Sequence, residues 1–280
     1  VNIQLISDLH LESHPHFTVA PAPDADLLVL AGDIGSYQEG SLLAERGIAD
    51  FGLARFSPLP AAQGGAGWPV PVFYIPGNHE YDGLDFDATH ERLREACARL
   101  GITWMERESM VWGGVRFIAC VLWTDFDALA LQQAKDGETL AVQLKERQKA
   151  FRAANFYLKR FHTLRGGEPM LAEAMREECL KSQAWLKEAL ALPFDGKTVV
   201  ITHFAPSLLS ADPRYGLVPG TAGFCNSLDE LLPLADVWMH GHLHCAIDYV
   251  SQGCRVVANP LGYAGKGEQD AFRPGFCVTV

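Results

Sequence analysis

The sequence predicts an α/β protein in which helices cover the outer faces of β-sheets. Short apolar runs recur along the chain of 280 residues, and most are continuously apolar rather than alternating. Continuous apolar runs are typical of strands that are buried on both faces. Segments with helical periodicity lie between these runs, and that alternation is typical of sheets covered by helices.

The elements follow from these two patterns in chain order. The strands, each rich in aliphatic residues, are predicted at residues 2–6, 26–30, 72–75, 115–122, 198–202, 237–239, 249–250, 255–258 and 276–280. The helices are predicted at residues 41–56, 88–100, 138–161, 169–190 and 227–234. Ser227 and Glu230 form a capping-box pattern at the start of the last helix. Residues 57–71, rich in proline and glycine, predict a loop.

Residues 127–192 depart from simple alternation because they are almost wholly helical. Apolar residues fall on a helical stripe on each side of the Gly166-Gly167 pair, so we expect a helical hairpin inserted into a single domain of residues 1–280. Its first helix carries many more basic than acidic residues. We interpret this as a solvated face, with an anion-attracting cap as the alternative.

Composition limits the function classes. The net charge is −11, from 34 acidic and 23 basic residues, and an acidic chain repels a nucleic-acid backbone. No stretch approaches the roughly 18 apolar residues of a membrane span. The seven cysteines contain no C-x-x-C pair, which favours free thiols and a cytoplasmic location. A strand that starts near Val1 leaves no room for a signal peptide, although a leader trimmed before Val1 would leave the same pattern.

Five short clusters of histidine, aspartate and asparagine carry most of the functional information, and each follows an apolar run. They are Ser7-Asp8-Leu9-His10, Gly32-Asp33, Gly77-Asn78-His79-Glu80, Thr202-His203 and Gly241-His242-Leu243-His244. Carboxylate, amide and imidazole groups are ligands for divalent transition metals. One ion takes about four to six donors, so this set indicates two ions that share a bridging group. Two-metal sites are typical of phosphate-ester hydrolysis.

The ordered set D-x-H, G-D, G-N-H-E, single histidine and G-H-x-H resembles the calcineurin-like metallophosphoesterase superfamily over residues 8–244. The segment Asn259-Pro260-Leu261-Gly262-Tyr263 is similar to that of its bacterial members. The resemblance implies a four-layer α/β/β/α sandwich of two mixed sheets flanked by helices. It also implies an enzyme that hydrolyses phosphate esters.

The same resemblance implies roles for single residues. Asp8, His10 and His244 would hold the first metal ion, Asn78, His203 and His242 the second, and Asp33 would bridge both. The ions would be two of Mn, Fe, Zn, Ni or Co, whose identity these ligands do not fix. A hydroxide that bridges the ions would attack phosphorus, and His79 would protonate the leaving oxygen as general acid.

The chain departs from the protein phosphatases of this superfamily after Asp33. Ile34-Gly35-Ser36 replaces their V-D-R-G continuation, so both an aspartate to orient His79 and an arginine clamp are expected to be missing. We therefore expect a small phosphorylated substrate, either a phosphodiester or a nucleotide-like molecule, with Arg214 and Tyr263 as contacts. One hypothesis is that the helical hairpin acts as a lid over this substrate.

Four other functions stay open. A phosphomonoesterase would use the same mechanism, and a nuclease would use the basic helix as its nucleic-acid surface. A lipid-precursor pyrophosphatase would need an exposed apolar groove. A non-catalytic metal-binding scaffold is disfavoured because all eight expected positions are present.

Overall fold

Two β-sheets form the centre of the computed structural model, which describes residues 1–60, 66–135 and 137–280. The strands are β1 (Asn2–Ile6), β2 (Leu27–Ala31), β3 (Val72–Ile75), β4 (Thr103–Trp104), β5 (Glu108–Trp112), β6 (Val115–Cys120), β7 (Leu164–Arg165), β8 (Glu168–Pro169), β9 (Thr198–Thr202), β10 (Val237–His240), β11 (Ile247–Ser251), β12 (Cys254–Ala258) and β13 (Cys277–Thr279). The first sheet has the order β13-β1-β2-β3-β4 and the second β11-β12-β10-β9-β6-β5. Both are mixed, because β13, β11 and β5 are antiparallel edge strands on otherwise parallel sheets.

The two sheets pack face to face. Alternate residues of the central strands point into one apolar cluster between them, including Leu5 and Val29 from the first sheet and Phe117, Ile201 and Met239 from the second. All five side chains are buried. Since the intervening residues of the same strands are also buried, each sheet has a second apolar face that needs a cover.

Helices provide that cover. They are α1 (Leu42–Glu45), α2 (Phe86–Leu100), α3 (Ala128–Lys135), α4 (Leu140–Phe161) and α5 (Ala172–Ala191). Helix α2 covers the first sheet, where Leu93 and Tyr74 of β3 belong to one apolar cluster. Helix α5 covers the second sheet, where Leu186 and Trp238 of β10 belong to the same cluster. The predicted four-layer α/β/β/α sandwich is thereby confirmed.

Three predictions of elements were wrong in detail. Residues 41–56 form α1 and a separate 3₁₀ turn, Leu53–Phe56, because Gly47, Phe51 and Gly52 take positive φ angles that end a helix. Residues 227–234 contain a short 3₁₀ helix, Asp229–Leu234, whose N-cap is Leu228 and not the predicted Ser227. The edge strand β5 was missed because exposed residues interrupt its apolar pattern.

The stretch 127–192, expected as a helical hairpin, contains α3, α4 and α5, with the β7–β8 hairpin at the two glycines. Residue 136 of this stretch, and residues 61–65 of the predicted 57–71 loop, lie outside the described residues. The carbonyl oxygen of Phe161, at the end of α4, accepts the Gly83 N–H at 2.8 Å. The end of α4 is therefore fixed against the loop that follows β3. No helix in the described part of the chain is long and apolar enough to cross a lipid bilayer.

Candidate metal centre

The five polar clusters meet at the carboxyl ends of strands from both sheets. Asp8 follows β1, Asp33 follows β2, Asn78 follows β3, His203 follows β9 and His242 follows β10. Parallel neighbouring strands end at the same edge of a sheet, and the two sheets are packed face to face. Residues far apart in sequence are thus brought to one place, which is where α/β sheets usually bind ligands.

The backbone at this place is unusual. Asp8, His10, Asp33, His242 and His244 all have positive φ angles, between 47° and 71°. Non-glycine residues adopt this left-handed conformation rarely, and it concentrates at functional sites. The preceding glycines leave room for the side chains. A Cβ on Gly77 would lie 2.1 Å from Oδ1 of Asp33, and one on Gly32 would lie 2.4 Å from Nδ1 of His203.

The first ligand cluster contains Asp8, His10, Asp33 and His244, whose candidate ligand atoms lie within 4.8 Å of one another. Nδ1 of His10 is 2.9 Å from Glu12, and Nδ1 of His244 is 2.7 Å from Glu268. A carboxylate at Nδ1 fixes the proton there and leaves a lone pair on Nε2. The two Nε2 atoms are 3.0 Å apart, so either a proton or a metal ion must lie between them.

The second ligand cluster contains Asp33, His203 and His242. His203 donates from Nδ1 to the carbonyl oxygen of Ala31 at 2.8 Å. Its Nε2 then faces Oδ2 of Asp33 at 3.1 Å and Oδ1 of Asn78 at 3.3 Å. Both Oδ2 of Asp33 and Nε2 of His242 are buried without a hydrogen-bond partner among the described residues. Buried polar atoms without partners are costly, and a cation at this point would satisfy them.

The charges around these side chains also favour a bound cation. Burial opposes ionisation of Asp33, but His203 and His79 outweigh it and hold the pKa of that carboxyl well below its usual value. Burial also disfavours a charged His203, yet Asp33 and Asp8 raise its pKa to about 9. Asp8 and Glu268 likewise raise the pKa of His244 to about 9 against the effect of burial. The carboxylates of the pocket therefore stabilise positive charge beside them, and the donor set fits divalent transition-metal ions.

His79 lies beside this centre and is oriented by a carboxylate. Nδ1 of His79 is 2.5 Å from Oδ2 of the buried Asp82, and its ring is 5.1 Å from that of His10. Burial lowers the pKa of His79, but Asp82 and Asp33 outweigh it and raise the pKa to about 10. The expectation that no aspartate orients His79 was wrong. The 3₁₀ turn His79–Tyr81 brings a residue three positions further on next to the imidazole.

Three further carboxylates support the site and were missed by sequence reasoning: Glu12, Glu80 and Glu268. Glu80 accepts the backbone N–H groups of Asp33, Ile34 and Gly77 at 2.8–3.1 Å, which ties the loops after β2 and β3 together. The signal for Glu80 was its place in G-N-H-E. Glu268 is distant in sequence from His244 and gave no comparable signal.

The two residues expected to contact substrate differ in their surroundings. The ring of Tyr263 stacks on that of His10 at 4.2 Å, and its hydroxyl is 3.0 Å from Nδ1 of His10. Arg214 instead forms an ion pair with Asp212, with Nε and Nη2 at 2.8 and 2.6 Å from Oδ2. Tyr263 is thus in contact with the candidate centre, whereas the charge of Arg214 is already matched.

Comparison with known proteins gives the chain a family context. The family model of the calcineurin-like phosphoesterases matches residues 2–246. A protein of Acanthamoeba polyphaga mimivirus with no characterised function is 24% identical over 304 residues, which cover 99% of this chain and 96% of that protein. The crystal structure of a phosphopantetheinyl hydrolase from Mycobacterium tuberculosis has a similar fold, with a TM-score of 0.60 and 20% identity. That match covers 96% of this chain and 92% of the hydrolase.

Proposed function

The chain belongs to the calcineurin-like phosphoesterase family, and we propose that it hydrolyses small phosphodiesters or nucleotide-like substrates with the help of two divalent metal ions. The observation that carries the proposal is the position of Asp33, which is common to both ligand clusters. A carboxylate has two oxygens, so it can contact two ions about 3.5–4 Å apart.

The ligands divide between two ions. Asp8, His10 and His244 would hold one ion, Asn78, His203 and His242 the other, and Asp33 would contact both. When bound, the two cations would stabilise the charge on the phosphoryl oxygens and lower the pKa of a water molecule that serves as nucleophile.

His79 supplies the proton for the leaving oxygen in this proposal. Because Asp82 occupies Nδ1, the ring is held in one orientation and Nε2 is left to act as the donor. Asp82 and Asp33 raise the pKa of His79, which favours the protonated ring that a general acid needs. The turn His79–Tyr81 also places the backbone N–H of His79 at 2.8 Å from Oδ1 of Asp33, so the acid and the shared ligand are fixed relative to each other.

Charge favours a diester over a monoester. A monoester dianion brings one more negative charge than a diester into a region where Glu12, Asp82 and Glu268 already lie near the ligands. Arg214 offers little compensation since Asp212 neutralises it. Two of the six basic residues of α4 are also paired, Arg147 with Asp127 and Lys149 with Glu146, which reduces the basic surface that a nuclease would use.

The experiment measures metal content together with hydrolysis of bis-p-nitrophenyl phosphate and p-nitrophenyl phosphate. The protein would be loaded in turn with Mn, Fe, Zn, Ni or Co. We expect about two ions per chain and faster turnover of the diester. His203→Gln would abolish turnover, whereas His16→Gln, the same change at an exposed histidine, would not.

Each other result changes the proposal in a defined way. Faster turnover of the monoester would assign a phosphomonoesterase with the same site. Bound metal with neither ester hydrolysed, for any of the five metals, would refute hydrolysis of simple esters and favour a metal-binding scaffold. Equal activity of the His203 variant and the wild type would refute the assigned site.

A further inference from the structure

Two phenylalanine rings border the candidate metal centre, one next to the proposed acid and one next to a proposed ligand. The ring of Phe161 packs edge-on against His79, with the centroids 4.9 Å apart. The ring of Phe224 lies 4.9 Å from that of His242 and is 43% exposed. The leaving group of a substrate bound at the centre, if it points towards His79, would therefore contact apolar side chains.

The elements that carry these two rings pack against each other. Helix α4 packs against the 3₁₀ turn Pro219–Gly223, where a Cβ on Gly223 would lie 4.0 Å from Cβ of Ala154. Phe224 directly follows that turn, and Phe161 lies two helical turns beyond Ala154 on the same side of α4. The hydrogen bond from the Gly83 N–H to the Phe161 carbonyl fixes this helix end beside the loop of His79.

Other exposed apolar side chains lie on the same helix or directly before the same turn. Tyr157 lies one turn before Phe161 on α4 and is 57% exposed. Leu217 and Val218, which directly precede the 3₁₀ turn, are about half exposed. We call these five residues the apolar wall: Tyr157, Phe161, Leu217, Val218 and Phe224. Clustered exposed apolar side chains beside a cleft commonly mark a binding surface.

We propose that the apolar wall binds the leaving group of the substrate, and that this leaving group is an alcohol with an alkyl or aryl portion. The inference rests on the proposed function, because it needs His79 to face the leaving oxygen. The wall side chains are hydrocarbon except for the hydroxyl of Tyr157. This surface matches a hydrocarbon chain or ring better than a nucleobase, whose edge needs several hydrogen-bond partners.

The test uses methyl phosphodiesters of linear alcohols with two to eight carbons, together with the glycerol and adenosine esters. The leaving alcohols of the linear series differ in apolar area and hardly in pKa. Full burial would raise kcat/KM about fourfold per methylene group, so a half-exposed wall predicts about twofold. We expect the glycerol and adenosine esters to react more slowly than the butyl ester.

Variants assign the effect to the wall. Phe161→Ala and Phe224→Ala are expected to flatten the increase of kcat/KM with chain length, and Phe161→Leu to keep most of it. Because Phe161 also packs on His79, its loss can slow all esters together, so the readout is the slope and not the absolute rate. Val111→Ala is the control variant. Val111 is 58% exposed on β5, at the edge of the second sheet, and its truncation should leave the slope unchanged.

The outcomes separate this inference from the proposed function. Turnover of diesters with no dependence on chain length, or faster turnover of the adenosine ester, would overturn the inference and leave the proposed function intact. A slope that survives both alanine variants would also overturn it. Failure of the metal-loaded protein to hydrolyse any phosphoester would overturn the proposed function and this inference with it.

Discussion

Replacing Asp33 with asparagine tests whether two metal ions share one carboxylate. Asp33 contributes an oxygen to both ligand clusters, and its Oδ2 has no hydrogen-bond partner among the described residues. Asparagine preserves the shape of the side chain and offers a neutral carbonyl and an NH₂ group in place of two anionic oxygens. We therefore expect the variant to lose at least one ion, whereas Asp24→Asn, the same change at an exposed position, should lose none.

The expected change in Tm follows from the linkage between metal binding and folding. An ion present at 100 times its Kd stabilises the native state by about 2.7 kcal/mol. For 280 residues the unfolding entropy near Tm is about 0.6 kcal/mol per degree, so one ion raises Tm by about 4–5 °C and two by about 9 °C. Asp33→Asn should show less than half of the wild-type increase.

The assay is thermal unfolding with and without Mn²⁺, combined with metal analysis of the same samples. His10→Gln alters the first ligand cluster alone and His242→Gln the second alone, so each should keep one ion and about half of the Tm increase. An Asp33 variant that binds two ions with the full increase would refute the shared carboxylate. A wild-type protein that binds one ion, lost in both histidine variants, would refute the two-ion site.

Two other substitutions test residues around the centre and in the core. Asp82→Asn removes the carboxylate that orients His79, so hydrolysis of alkyl esters should fall about ten- to a hundredfold while p-nitrophenyl esters, which leave without a proton, change little. Equal losses for both ester types would contradict a positioning role. Burial raises the pKa of Glu106 to about 7, so between pH 4.5 and 7 the folded protein holds a proton that the unfolded chain has released. The free energy of unfolding should therefore fall as pH rises through this window, by up to about 3 kcal/mol more than in Glu106→Gln. Urea unfolding of both proteins at pH 5 and pH 8 measures this difference. Parallel pH profiles of the two proteins would contradict this assignment.

The residues that meet at the centre were predictable because strands have a simple geometry. Asp8, Asp33 and His203 each follow an apolar run, and parallel strands bring their carboxyl ends to one edge. The supporting carboxylates were not predictable in the same way. Glu12 and Glu268 lie in loops, and a loop sequence does not fix which imidazole its side chain reaches. Asp82 depended on a single 3₁₀ turn.

The same contrast holds for the helices. Periodicity predicted α4 and α5 closely, but it gives the apolar side of a helix and not its partner. The second sheet covers Leu186 of α5, whereas α4 packs on the turn Pro219–Gly223 and ends against the loop of His79. Because α4 ends there, Phe161, which the sequence showed only as a residue of the apolar stripe, lies next to the proposed acid His79.

The backbone of the ligand loops explains why the two sheets matter for the chemistry. Five candidate ligands adopt the left-handed conformation, which costs roughly 1 kcal/mol each, or about 5 kcal/mol together. A whole domain has a net stability of only about 5–15 kcal/mol, so the loops cannot hold this conformation by local preference. The buried strands before each ligand impose it, helped by Glu80, which binds three backbone N–H groups of two loops. Bound cations would then offset the cost, since they satisfy Asp33 and His242, and folding and metal affinity become coupled.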